Sequence, residues 1–81
     1  GSLGQDKLDG GAGVDVIDGG AGVDSLTGGD GDDTLIGGTE GDTIHGGDGN
    51  DNLVGDAGPD NLFGEAGTDS LSGGQGDDKS G

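Results

Sequence analysis

An aliphatic residue recurs at every ninth position of this chain: Leu8, Ile17, Leu26, Leu35, Ile44, Leu53, Leu62 and Leu71. Most are flanked by residues that suit an extended backbone, as in Thr34-Leu35-Ile36, and the stretches between the triplets are glycine-rich and end in aspartate. The pattern predicts very short strands separated by six-residue turns. Side chains alternate faces along a strand, so the aliphatic residue points inward and its two neighbours point out. A three-residue strand with one inward side chain cannot enclose a core alone. It gains one only by stacking on copies of itself.

Cut from Gly1 in blocks of nine, the 81 residues form nine blocks with no insertion. Position one is always glycine, and position four is glycine except at Glu40. Position six is always aspartate: Asp6, Asp15, Asp24, Asp33, Asp42, Asp51, Asp60, Asp69 and Asp78. Position eight is the aliphatic residue, replaced by Ser80 in the last block. Glycine-rich turns reach positive φ and expose their carbonyls. One inward residue per strand predicts a flat coil of two sheets, with two blocks per turn and about four and a half turns in all. Odd blocks supply Leu8, Leu26, Ile44 and Leu62 to one ladder; even blocks supply Ile17, Leu35, Leu53 and Leu71 to the other. Each loop then lies on the loop two blocks away, with like strands about 4.8 Å apart. That geometry files Asp15, Asp33, Asp51 and Asp69 along one edge and Asp6, Asp24, Asp42, Asp60 and Asp78 along the other.

Charge changes the picture. Hydrophobic residues make up 23% of the chain, and 18 acidic residues against Lys7 and Lys79 leave a formal net charge of −16. Low hydrophobicity with high net charge marks a chain that stays disordered unaided. Carboxylates filed about 5 Å apart repel one another unless hard cations sit between them. Calcium takes six to eight oxygen ligands from carboxylates and carbonyls, whereas magnesium keeps stricter geometry and zinc prefers histidine or thiolate. The repeated loop positions offer oxygen alone, so calcium is the expected ion and folding is expected to accompany its binding. The lack of cysteine excludes a disulfide framework and thiolate sites. No apolar run approaches the roughly 20 residues of a membrane span, which argues against membrane insertion, and no signal peptide is read. So acidic a chain is a poor partner for nucleic acid or an anionic membrane surface.

The blocks resemble the GGxGxDxUx nonapeptide of RTX (repeats-in-toxin) proteins, and the resemblance runs through the whole chain. It implies an all-β fold, a right-handed parallel β-roll (a two-sheet β-solenoid), as a single domain over residues 1–81. It also implies that each calcium ion sits between two stacked loops. The position-six aspartates of both loops are the implied side-chain ligands, each bridging successive ions. Backbone carbonyls of positions one to four complete the implied shell. In blocks 2 to 5 these are Gly10, Gly11, Ala12, Gly13, Gly19, Gly20, Ala21, Gly22, Gly28, Gly29, Asp30, Gly31, Gly37, Gly38, Thr39 and Glu40. In blocks 6 to 8 they are Gly46, Gly47, Asp48, Gly49, Gly55, Asp56, Ala57, Gly58, Gly64, Glu65, Ala66 and Gly67. Stacking blocks 1–3, 3–5, 5–7, 7–9, 2–4, 4–6 and 6–8 allows up to seven ions, whose charge would offset 14 of the 16 net negatives. The resemblance further implies a fragment of a secreted, extracellular bacterial protein. Export would be by a type I system reading a C-terminal signal that this sequence does not contain.

Several residues depart from the pattern. Glu40 stands where positive φ would cost a side chain about 1–2 kcal/mol, which predicts a shifted loop in block 5. Asp56 and Glu65 replace the second glycine of their blocks and still present a carbonyl, and Pro59 sits in a turn that tolerates it. Gly1-Ser2 reads as a cloning scar. Block 9, without its aliphatic anchor, is expected to fray or to act as a polar end. End strands exposed in this way can pair between molecules. Position nine carries Ile36, His45, Val54 and Phe63, read either as outer-face strand residues or as a docking patch for flanking domains; His45 faces the wrong side to be a ligand.

Other functions fit poorly. With one histidine and its carboxylates committed to the repeat, the chain offers no asymmetric acid/base pair for an enzyme. An EF-hand starting at Asp48 fails because Leu53 stands where glycine is required and Pro59 where the bidentate glutamate belongs. Threonines scattered over several repeat positions do not make an ice-binding ladder. A polysaccharide- or surface-associated adhesion or stabilising module on the same scaffold remains the alternative, although no basic or aromatic groove is patterned for it.

Overall fold

The computed structural model describes residues 5–73 and the strand at 79–80, and every repeat places its strand where the pattern predicts it. The strands are β1 (Lys7–Asp9), β2 (Val16–Asp18), β3 (Ser25–Thr27), β4 (Thr34–Ile36), β5 (Thr43–His45), β6 (Asn52–Val54), β7 (Asn61–Phe63), β8 (Ser70–Ser72) and β9 (Lys79–Ser80). Odd strands form one sheet in the order β1-β3-β5-β7-β9 and even strands a second, β2-β4-β6-β8. All pairs are parallel and in register, so Leu8 lies beside Leu26, Leu26 beside Ile44 and Ile44 beside Leu62. The second ladder runs Ile17, Leu35, Leu53, Leu71. The chain is therefore an all-β parallel solenoid whose two sheets face each other across these ladders.

Three residues are too few to satisfy a strand's backbone, and the turns complete the pairing. The position-one N–H of each loop donates to the position-nine carbonyl one coil on, as from Gly28 to His45 at 2.8 Å and from Gly37 to Val54 at 2.8 Å. The position-seven N–H reaches back to the preceding coil's aspartate carbonyl, as from Thr43 to Asp24 at 2.9 Å. Buried backbone groups need such partners, which here come from the same position of the neighbouring coil. Ser80 gives β9 no aliphatic anchor, yet β9 still pairs with β7, because ladder bonding does not need the side chain. Gly1-Ser2 and the block 9 loop with Asp78 lie outside the described residues.

Leu26, Leu35, Ile44, Leu53 and Leu62 are fully buried, while Leu8, Ile17 and Leu71 at the ends are only partly covered. Position-nine side chains lie on the outer faces. His45 and Phe63 stack with ring centroids 4.8 Å apart, and His45 Nδ1 lies 2.7 Å from Glu65 Oε2. His45 is thus engaged outside the coil.

Turn positions two and four take positive φ, as at Gly29 (88°) and Gly31 (102°). Glu40 adopts this conformation at 70° in place of the usual glycine, and β5 keeps its register with β3 and β7. The predicted shift of block 5 is absent because Glu40 absorbs the strain locally. Asp56 (70°) and Glu65 (66°) do the same at position two. Replacing Asp56 by glycine should stabilise the folded coil by roughly 0.5–1 kcal/mol, the relief of strain less glycine's larger entropy in the open chain. Leu53→Ala should destabilise it by about 2–5 kcal/mol. Denaturant unfolding in calcium reads both, and equal stability of Asp56→Gly and the parent would contradict the strain.

Candidate metal centre

The position-six aspartates immediately precede the strands, and stacking joins them into two rows. The backbone N–H of each aspartate donates to Oδ1 of the aspartate one coil on. One row runs from Asp6 to Asp24 (2.9 Å), Asp24 to Asp42 (2.8 Å) and Asp42 to Asp60 (2.8 Å). The other runs from Asp15 to Asp33 (2.9 Å), Asp33 to Asp51 (2.8 Å) and Asp51 to Asp69 (2.8 Å). These bonds hold the carboxylates inside the coil, where Asp24, Asp33, Asp42, Asp51 and Asp60 are at most 3% exposed.

In Asp24, Asp33, Asp42 and Asp51 one carboxylate oxygen is satisfied in this way. The Oδ2 atoms of Asp15, Asp24, Asp33, Asp42 and Asp51 are buried with no hydrogen-bond partner. A buried carboxylate in that state is costly unless it is neutralised or paired. The carboxyl of Asp42 is accordingly raised from 3.8 to about 6. Burial is the main cause, partly offset by the N–H of Asp24 and reinforced by the carboxylates of Asp60, Asp24 and Glu40. Asp51 is pushed upward too, first by burial, against the lowering bond from the Asp33 N–H, with Asp33, Asp69 and Asp32 adding repulsion.

The position-one glycines show what the unsatisfied oxygens face. A β-carbon on Gly28 would lie 2.7 Å from Asp33 Oδ2 and 2.7 Å from the Gly46 carbonyl oxygen. At Gly10 the corresponding atoms are Asp15 Oδ2 at 2.7 Å and the Gly28 carbonyl at 2.9 Å. At Gly19 they are Asp24 Oδ2 at 2.8 Å and the Gly37 carbonyl at 2.7 Å. Gly37 and Gly46 repeat the arrangement with Asp42 and Gly55, and with Asp51 and Gly64. At each of these glycines a carboxylate oxygen and a carbonyl oxygen from the next coil converge on one point. Both carry negative charge density, and the Oδ2 atoms of Asp15, Asp24, Asp33, Asp42 and Asp51 accept no hydrogen bond.

This donor set fits a hard cation. Calcium accepts mixed carboxylate and carbonyl oxygens, whereas a zinc site needs histidine or thiolate. Among the described residues no three histidine or acidic side chains converge on a common point. Side chains of the described residues therefore make no cage by themselves. The structure brings position-six carboxylates together with position-one carbonyls. Carbonyls at positions two and four aim along the stack, that of Gly11 toward Gly29 and that of Gly13 toward Gly31. Position-three residues such as Ala12, Asp30, Thr39, Asp48 and Ala66 are exposed.

Two features escaped the sequence reading. Oδ1 of each inner aspartate is already committed to a backbone N–H, so Oδ2 carries the open coordination. A second ladder also runs along position five of the even loops, from the Asn50 N–H to Asp32 Oδ1 (2.8 Å) and from the Thr68 N–H to Asn50 Oδ1 (2.9 Å). Its signal was present, as Asp32 and Asn50 stand 18 residues apart, one full coil.

The fold and its buried carboxylate rows define a parallel solenoid whose donor set suits hard cations. The family profile of the RTX calcium-binding nonapeptide repeat matches residues 1–26, 27–62 and 45–79, and the chain belongs to that family. Neither the curated proteins nor the solved structures gave a match. The chain is thus a calcium-binding β-roll module, of a family whose repeat is structural and not enzymatic.

Gly28→Ala should raise the calcium concentration needed for folding at least tenfold, since the methyl group must displace two oxygens; an unchanged midpoint would contradict the cradle. The pH dependence follows from Asp42. Its pKa is higher in the coil than in the open chain, where it is near 3.8, so the metal-free coil holds the proton more tightly. That contribution is fully present below about pH 4 and is lost as the pH rises through about 6. In chelator, β-structure by circular dichroism should therefore increase on acidification from pH 7 to 4. With calcium present, the folding midpoint should rise over the same window as protons compete for the carboxylates. A chelated chain equally disordered at both pH values would contradict this.

Proposed function

We propose that this chain folds when calcium binds and is a calcium-gated segment of a secreted bacterial protein. The observation that carries the reading is the row of buried Asp Oδ2 atoms with no partner, each facing a carbonyl oxygen of the neighbouring coil. When bound, calcium supplies the positive charge and high oxygen coordination that these groups otherwise lack. The chain's own residues do the rest. Asp15, Asp24, Asp33, Asp42, Asp51, Asp60 and Asp69 present carboxylates, and the carbonyls of the preceding loop positions complete the shell, with position-one glycines leaving room. With Asp6 and Asp78 as the end ligands, up to seven ions are accommodated between stacked loops, and residues 1–81 act as one domain.

Coupling follows from electrostatics. A chain with net charge −16 and, among the described residues, five fully buried aliphatic side chains has little to oppose self-repulsion and backbone entropy. Ions that bind the folded state alone stabilise it by mass action, about 2.7 kcal/mol per site at a hundred times the dissociation constant. Binding and folding then become a single event. RTX repeats typically occur in secreted bacterial proteins, and a chain that stays open in the low calcium of the cytosol and folds outside suits export.

Calcium titration with simultaneous circular dichroism and equilibrium dialysis tests the coupling. Ordering and ion uptake should share one midpoint and one steep curve. β-structure that is complete in chelator at neutral pH would overturn the reading. Asp42→Ala and Asp51→Ala should each raise the midpoint more than Asp6→Ala, because the central carboxylates are flanked by aspartates on both sides.

A further inference from the structure

The two ends of the solenoid carry complementary strand edges. β8 closes one sheet and β1 opens the other. Pairing of β8 with β6 uses the Ser70 N–H, which donates to Asp51, and the Ser72 carbonyl, which accepts from Gly55. Backbone groups of a parallel strand serve its two neighbours alternately. The far edge of β8 therefore carries the Asp69 carbonyl, the N–H and carbonyl of Leu71, and the Gly73 N–H. At the other end, β1 and its flanks give the Asp6 carbonyl and the Gly10 N–H to β3. The outer edge of β1 is left with the N–H and carbonyl of Lys7 and of Asp9.

These edges match as successive strands of one coil do. Within the chain, Ser25 N–H donates to the Asp6 carbonyl and Gly10 N–H to the Thr27 carbonyl. The equivalent bonds between two copies run from Lys7 N–H to the Asp69 carbonyl and from Gly73 N–H to the Asp9 carbonyl. Because the number of half-turn blocks is odd, a second copy continues the coil only after rotation by half a turn about the axis. Its β1 then falls on β8, and its β2 on β9. Leu8 of the second copy lands on Leu71, and these are two of the partly covered members of the core. The ladder Ile17-Leu35-Leu53-Leu71 thereby passes from one copy to the next.

We propose that copies of this chain join head to tail, β1 of one pairing in parallel with β8 of the next, into open fibres related by a half-turn screw. The partner is a second copy because the junction repeats, bond for bond, the contact already made between β1 and β3. Such a contact joins unlike surfaces and does not close on itself, so growth is open-ended. The proposal rests on the calcium reading, since chains of charge −16 repel one another until neutralised.

Sedimentation velocity in saturating calcium, over rising protein concentration and with circular dichroism on the same samples, provides the test. The average mass should pass twice the single-chain 7.5 kDa and keep rising with concentration. Lys7→Pro and Asp9→Pro each remove one N–H from the outer edge of β1, and proline is tolerated at strand starts and edges. Each should weaken association at least tenfold while leaving the calcium midpoint unchanged. If one fails to fold, the other carries the test. A β-signal with single-chain mass at every concentration, a dimer that stops growing, or variants that associate like the parent would overturn the junction alone. No β-signal in calcium would overturn the calcium reading and the junction with it.

Discussion

A buried carboxylate with one oxygen tied to a backbone N–H and the other turned toward a carbonyl is the constraint on which this molecule depends. Repeated along both edges, it ties the register of the coil to a row of buried carboxylates. The Oδ1 bond from each aspartate to the preceding coil spaces the loops, as between Asp24 and Asp42 or Asp33 and Asp51. The Oδ2 atom beside it lies against more oxygen and finds no donor. Hydrogen bonds to N–H favour the charged carboxylate, whereas burial and like charges oppose it. At Asp42 the opposing effects prevail, and its proton is held to about pH 6.

The repeat positions divide according to how they meet this constraint. Position one tolerates no β-carbon, since the space at Gly28 is already claimed by Asp33 and Gly46. Positions two and four must adopt a left-handed backbone, but Glu40, Asp56 and Glu65 show that side chains can occupy them at the cost of strain. Position eight must be aliphatic only where strands lie on both sides. Positions three, five, seven and nine vary because they face outward, and there the chain places features of its own, such as the Asp32–Asn50–Thr68 ladder and the His45–Phe63 stack.

Most of the architecture was legible in the sequence because one short period specifies it. Once Leu35 must face inward and Asp33 must end the turn before it, the position of block 4 on block 6 follows, and with it both sheets and both aspartate rows. What the period does not encode is how a carboxylate divides its two oxygens. That depends on the rise from one coil to the next, which brings the Asp33 N–H within 2.8 Å of Asp51 Oδ1. The positive φ of Asp56 and Glu65 is legible only by analogy, from the glycines that hold the same position in other blocks, as at Gly29. The pairing of β9 despite Ser80 was also unforeseen, since an argument from side-chain burial neglects a ladder made by the backbone.

The central claim is that cations occupy the space between the Oδ2 rows and the position-one carbonyls. X-ray diffraction from crystals grown in calcium, with anomalous difference maps, tests it most directly. Two rows of peaks are expected, each about 2.3–2.6 Å from the Oδ2 of an inner aspartate such as Asp33, Asp42 or Asp51 and from loop carbonyls. An intact coil with cations only at exposed acids such as Asp30 and Asp48 would contradict it.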